Sequence, residues 1–265
     1  MTTTTSVSRA ASGARTAPRP DMVTYARLDL RRQLRDRMAM FFIVGLPTFM
    51  YLVFGLGSAD AVGSGNVAMY IMISMACYGA VTATTGIAGS AATEQVMGWG
   101  RQLGLTPMRP LAFVAAKAGL AMVVAAMPVA LIFAIGAATG ARGTWSDWVL
   151  GAVIVWLGSA LFAIYGLAVA LVFRGTNAPG IASGFIVIMA FLGGLFTPIS
   201  GVMLDIGRLT PLYGYAALAH YPLTDGWLPV DGRDPLWLPV ANVLAWTVIF
   251  SLLAVWGVRR SRART

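Results

Sequence analysis

The sequence predicts an all-α membrane protein: six transmembrane helices, an N-terminal cytoplasmic amphipathic helix, and two short re-entrant or external helices between spans five and six. Three observations predict it. Hydrophobic residues fill 58% of the 265 positions and charged residues only 11%, against roughly 25% charged in a soluble domain. A spanning helix needs about 20 mostly apolar residues, and such stretches run at 39–56, 67–92, 111–138, 149–173, 181–197 and 237–257, each without Asp or Glu. When the N-terminus is taken as cytoplasmic and the spans alternate, 16 of the 19 basic residues fall inside, leaving Arg142, Arg208 and Arg233 outside among six aspartates. That asymmetry satisfies the positive-inside rule and predicts a multi-pass protein with both termini cytoplasmic.

The formal net charge of +9 is therefore an insertion signal, which argues against a nucleic-acid partner. Cys77 is the single cysteine and lies within the second span, so neither a disulfide framework nor a cysteine metal site is available. Eighteen of the 19 basic residues are Arg, and Ala and Gly are abundant, a composition that suits a GC-rich bacterial source.

Residues 1–20 are rich in Thr, Ser, Ala and Arg and lack apolar periodicity, which predicts a disordered cytoplasmic arm. They are not a signal peptide, because the first apolar run begins only after a long charged stretch. Over 21–38, with Asp21 as N-cap, Val23, Ala26, Leu30 and Leu34 recur at helical spacing while Arg27, Arg31 and Arg35 mark another face. This pattern predicts a basic amphipathic helix lying at the membrane surface and feeding the first span. Residues 57–66 and 139–148 read as short external turns, the latter with Trp145 and Trp148 at the interfacial level. Pro128 predicts a kink in the third span. The transmembrane unit covers 39–258, and 259–265 form a cytoplasmic tail.

Two connections are irregular. Residues 93–110, TEQVMGWGRQLGLTPMRP, are long enough for a short cytoplasmic helix between spans two and three. Residues 197–223 are too polar to span and too apolar for a plain loop, which predicts two short helices burying Met203, Leu204, Leu209, Leu212 and Leu218 against the bundle.

The chemistry is sparse. A gradient-driven transporter needs ionisable groups inside the membrane to bind its coupling ion. Here Lys117 is the one weak candidate, expected to snorkel to the cytoplasmic interface. A phosphate-cradling loop needs glycines upstream of a Lys and a Ser or Thr after it, whereas Lys117 stands in FVAAKAGL. The chain therefore binds no cofactor of its own. His220, the single histidine, reads as a polar residue at the outer interface, with an acid–base role beside Asp205 or Asp225 as the sharper alternative. Thr82, Thr84, Thr85, Ser90 and Ser74 cluster in the second span, where they either bridge helices or line a polar path. Thr82, Thr85, Phe185 and Phe191 are the candidate path residues.

In their order along the chain these features resemble the type-2 ABC exporter permeases, bacterial drug and antibiotic exporters among them. After the second span, Glu94, Gly100, Leu103, Thr106 and Pro107 stand where that family carries an acid, then Gly, Leu and Thr-Pro. The family usually places Arg beside the acid; this chain has Gln95 there and Arg101 later. After the fifth span, Gly193, Gly194, Phe196, Pro198, Pro211 and Tyr213 fit the Gly-rich end, the Pro and the later Pro–aromatic pair.

The resemblance implies a multi-pass protein of the bacterial inner membrane, two permease chains (identical or related) and two copies of a separate ATPase that binds ATP and Mg. The Glu94–Pro107 segment would press into the ATPase, with substrate passing between spans two and five of opposing chains. A lipophilic or amphipathic small molecule or lipid is the cargo the apolar interior suits. An ion-coupled or facilitated transporter, and a membrane-embedded enzyme or sensor, remain as alternative readings.

Overall fold

The computed structural model describes residues 22–94, 110–173, 178–230 and 232–262. Within them the chain is almost entirely helical. The expected arm at 1–20 and the connection 95–109 lie outside the described residues.

Helix α1 spans Met22–Arg35 and stops because Asp36 turns extended (φ −75°, ψ 93°) and caps the following helix, its carboxylate accepting from the Ala39 amide at 3.0 Å. The amphipathic segment thus ends three residues before the predicted boundary. Helix α2, Arg37–Gly55, is wound as a π-helix over Phe41–Gly45. Pro47 offers no N–H to the Ile43 carbonyl and would crowd it in regular α geometry, so the wider turn just before it relieves the conflict.

The predicted external turn at 57–66 contains a two-stranded hairpin, β1 (Ala61–Val62) and β2 (Gly65–Asn66), with Ala61 opposite Asn66. It knots one end of the bundle. Ser64 donates from Oγ to Asp147 (2.7 Å) and from its amide to the Leu223 carbonyl (2.9 Å), and Asn66 binds the Gly140 carbonyl and the Arg142 amide, both at 2.9 Å.

Helix α3, Val67–Glu94, is the axis of the molecule. Its most apolar stretch is 78% buried, against 17% for the last helix. Around it pack α2, α4 (Pro110–Thr139), α5 (Trp145–Gly158), α6 (Ala160–Phe173), α7 (Ala178–Leu192) and α9 (Pro211–Thr224). So many neighbours can approach one helix only where side chains are small. A Cβ on Gly166 of α6 would lie 2.4 Å from the Thr85 carbonyl oxygen, and one on Gly79 of α3 would lie 2.7 Å from the Pro128 ring. Pro128 itself sits inside a continuous α4.

Helices α5 and α6 form one 29-residue apolar segment, Trp145–Phe173, with a turn at Ser159. The fourth span thus begins at Trp145, four residues earlier than expected. Thr144 and Asp147 form a reciprocal capping box there, drawing the interfacial tryptophans into the first helical turn.

Five segments are long and apolar enough to cross a membrane, and α7 is a shorter apolar helix of 15 residues. It ends at Leu192, not at residue 197, because Gly194 turns left-handed (φ 71°) and Pro198 follows.

The two short helices predicted before the last span are present: α8, Gly201–Arg208, and α9. Leu204 and Leu212 are buried and Leu218 half-buried. Met203 and Leu209 are 53% and 74% exposed, contrary to expectation, because an eight-residue helix presents one inward face and Leu204 with Gly207 occupies it. Helix α10, Trp237–Arg262, packs on α6 and α9.

Replacing Gly166 with Ala is expected to lower unfolding stability by about 1–3 kcal/mol, since the Thr85 backbone cannot yield. Gly119→Ala, whose Cβ would meet open space, is expected to be neutral or stabilising by up to about 1 kcal/mol. Thermal unfolding of the two variants in one detergent checks both.

Candidate functional site

Although α3 is encased, part of it stays open. Tyr70, Ser74, Tyr78, Thr82, Gly86 and Ser90 recur every fourth position as a stripe that winds about the helix; Tyr70, Thr82, Gly86 and Ser90 are half-buried, and Ser74 and Tyr78 between them are buried but border clefts. Two clefts lie along it, both bounded by α2 on one side and by α7 and its exit on the other. The first, about 410 Å³, is lined by Ala39, Phe42 and Ile43 of α2, Tyr78, Thr82, Thr85 and Gly86 of α3, and Ser183, Gly184, Ile186 and Val187 of α7. The second, about 340 Å³, lies toward the hairpin end between Phe54 and Ser58, Tyr70, Ser74 and the segment Gly194–Pro198. The Tyr78 ring meets Phe196 edge-on at 5.1 Å where the two adjoin.

No charged side chain lines either cleft among the described residues. The stripe hydroxyls are turned to their own helix: Ser74 donates to the Tyr70 carbonyl (3.1 Å), Thr82 to Tyr78 (2.8 Å) and Ser90 to Ile87 (2.8 Å). Their oxygens remain able to accept. Thr85 instead bridges helices, donating to the Phe162 carbonyl at 3.4 Å. The groove is thus apolar and uncharged, with a few hydroxyls along it. Of the four candidate path residues the structure brings Thr82 and Thr85 together. Phe185 and Phe191, 49% and 52% exposed, line neither cleft, although the Phe191 ring packs on Phe196 (4.9 Å between centroids), which borders the second. Aromatic character alone gave no phase: Ala182, Ile186 and Ala190 carry the buried face of α7, and Ser183 and Gly184 beside it border the first cleft.

At the hairpin end a second set of residues forms a cap. Pro211 opens α9, and Thr210 caps it by accepting from the Tyr213 amide at 3.3 Å. The buried Asp234 accepts from Arg208 Nη2 at 2.6 Å and from the Tyr213 hydroxyl, joining α8, α9 and the approach to α10. Burial and the adjacent Asp234 carboxylate push the Tyr213 phenol above its usual range. Pro198 borders the outer cleft.

His220 is buried inside this cap, not exposed at an interface. It stacks on Tyr70 (4.0 Å between centroids), its Nδ1 lies 2.8 Å from the Ala216 carbonyl, and its Nε2 lies 3.1 Å from both the Tyr70 carbonyl and Ser74 Oγ. It fastens α9 to the start of α3.

The opposite end holds a cluster that the sequence reading missed. Lys117 of α4 does not snorkel: it is 1% exposed, with its ammonium 2.6 Å from Asp29 Oδ2 of α1 and 3.0 Å from Glu94 Oε2 at the end of α3. Arg32 of α1 reaches Glu94 at 3.7 Å. Asp29 was legible in one respect. It is an acid set three residues after Ala26 and one before Leu30, within the apolar stripe of an otherwise basic helix. Of the expected coupling residues Glu94 is placed here, while Gly100, Arg101, Leu103, Thr106 and Pro107 lie outside the described residues.

Comparison with known proteins agrees with this architecture. Residues 22–212 match the family described as ABC-2 type transporter. The chain is also similar to the putative transport permease YvfS of Bacillus subtilis (strain 168), with 22% identity over 243 residues that cover 89% of this chain and 96% of that protein. A match over most of the chain, on a helical bundle built around an apolar groove, identifies it as a membrane transport permease of the ABC-2 type transporter family.

Proposed function

We propose that this chain is the permease subunit of an ATP-driven exporter in a bacterial inner membrane, paired with a second permease chain and powered by two copies of a separate ATPase. The observation that carries the reading is the uncharged groove along the α3 stripe, which extends from Ala39 near one end of the bundle to Pro198 near the other. An uncharged, apolar route favours a lipophilic or amphipathic small molecule or a lipid, because a charge would be desolvated there without a partner. Two such grooves, facing each other across a pair of chains between their second and fifth spans, would enclose the path. Rotation of the two halves would then open it to alternate sides.

Helix α7 supports a sixth crossing despite its length. Fifteen residues rise about 22 Å, short of the roughly 30 Å hydrocarbon core. The remainder falls to the Gly193–Pro198 turn and the α8–α9 cap, irregular backbone that is tolerated at membrane depth when protein covers it. With six crossings and the basic residues inside, both termini are cytoplasmic.

The tagged chain is expected to retain an ATPase subunit on purification from its native membrane, and the complex to hydrolyse ATP faster when a transported compound is added. Purification alone with full function would contradict the reading. Gly86→Leu, which adds bulk where open cleft lies beyond the Cα, is expected to cut transport by roughly tenfold or more while leaving ATPase retention and thermal stability intact.

A second reading, gradient-driven transport, draws on one observation, the buried Asp29–Lys117–Glu94 group. Vesicles carrying the chain without ATP, under an imposed proton gradient, are expected to show no transport. Uptake that collapses with the gradient would favour the second reading.

A further inference from the structure

Three segments distant in sequence meet on one ammonium. Asp29 comes from α1, Glu94 is the last residue of α3, and Lys117 lies seven residues into α4. Glu94 therefore stands at one root of the 95–109 connection, the segment that would meet the ATPase, and Lys117 about two turns inside the helix that follows it. Helix α1 is tied to both sides of the connection, to Lys117 through Asp29 and to Glu94 through Arg32.

Such a cluster is a poor choice for stability alone. Two carboxylates share one buried lysine, Arg32 also reaching Glu94 among the described residues, and a well-packed apolar set would do as well or better. What ion pairing supplies instead is direction and exclusivity: neither carboxylate can leave Lys117 without another cation. Helix α1 carries that cation beside Glu94. Elsewhere Arg27, Leu28, Arg31, Arg32, Leu34 and Arg35 are all exposed, and among the described residues α1 packs chiefly on α4 and α2.

We propose that Asp29, Lys117 and Glu94 form an ion-paired clasp that closes the base of the connection between α3 and α4 and binds α1 to it, so that a push on the connection moves all three helices together. The inference rests on the exporter reading and adds a transmission role for Lys117 and Asp29. Without the clasp, force on the connection would reach α3 and α4 and leave α1 behind. These are positioning residues; none touches nucleotide or cargo.

The test uses two readouts on the full chain in lipid vesicles. Hydrogen exchange over Met22–Arg35 is followed in the chain by itself, and transport per ATP hydrolysed is followed in the complex with its ATPase. Asp29→Asn keeps the size of the side chain and leaves Lys117 paired to Glu94, so the bundle should fold while α1 exchange rises about tenfold or more. Transport per ATP should fall at least about fivefold with no loss of ATPase copies per permease. Asp29→Glu should restore both. Glu94→Gln should leave α1 exchange within about twofold, Lys117 still holding Asp29, yet lower transport per ATP as much as Asp29→Asn does.

Wild-type transport per ATP in both carboxamide variants would overturn the clasp while leaving the exporter reading standing. A loss of transport that merely tracks loss of assembled complex would also overturn it. A wild-type chain that neither binds an ATPase nor responds to ATP would overturn both.

Discussion

One helix must be in contact with nearly everything else, and that requirement governs the fold. Helix α3 meets six other helices over 28 residues, which its sequence permits by offering Ala, Gly, Ser and Thr at most of the contact positions. Close approach then fixes the partners: Gly166 of α6 lies on the Thr85 carbonyl, and the Pro128 ring of α4 lies on Gly79. With two sides of α3 sealed in this way, the remaining stripe can open only between α2 and α7. The π turn in α2 belongs to the same geometry, because it sets the Ile43 carbonyl against Gly79 and places Ala39, Phe42 and Ile43 along the groove.

Polar chemistry is concentrated at the two ends of this axis. At one end Asp147, Asn66, Ser64, His220 and the Arg208–Asp234–Tyr213 group bind the hairpin, the α4–α5 turn and the α8–α9 cap into a unit. At the other, Lys117 gathers Asp29 and Glu94. Between them the contacts are apolar, apart from a few hydroxyl and indole hydrogen bonds to backbone, such as Tyr215 to Val155 (2.6 Å), Tyr165 to Ala182 (3.2 Å) and Trp156 to Met122 (2.9 Å). The polar ends thus fix which segments meet, and close apolar packing holds the middle between them.

Most of the fold was legible because apolar length and charge asymmetry act over whole segments and tolerate local error. The two helices before α10 were legible for the same reason, from a stretch neither polar enough for a loop nor apolar enough to span. Boundaries and phases were not. The start of α5 depends on one reciprocal cap between Thr144 and Asp147, which a count of apolar residues does not register. The direction of Phe185 and Phe191 depends on the phase of α7, set by contact with α3 and not by aromatic content. Lys117 was read as snorkelling because its partners, Asp29 and Glu94, lie 88 and 23 residues away, and only tertiary structure brings them to it.

The central claim is that the stripe on α3 lines the transport path. Its most direct test is a cysteine scan of residues 70–90 in a Cys77→Ser background, reading reactivity toward a small water-soluble thiol reagent while the ATPase complex turns over. The account predicts reactivity at the half-buried stripe positions Tyr70, Thr82, Gly86 and Ser90, with protection by a transported compound and silence at the buried Ala76, Ala80 and Ala83. Equal reactivity at Ala80 and Ala83, or none along the stripe, would contradict it.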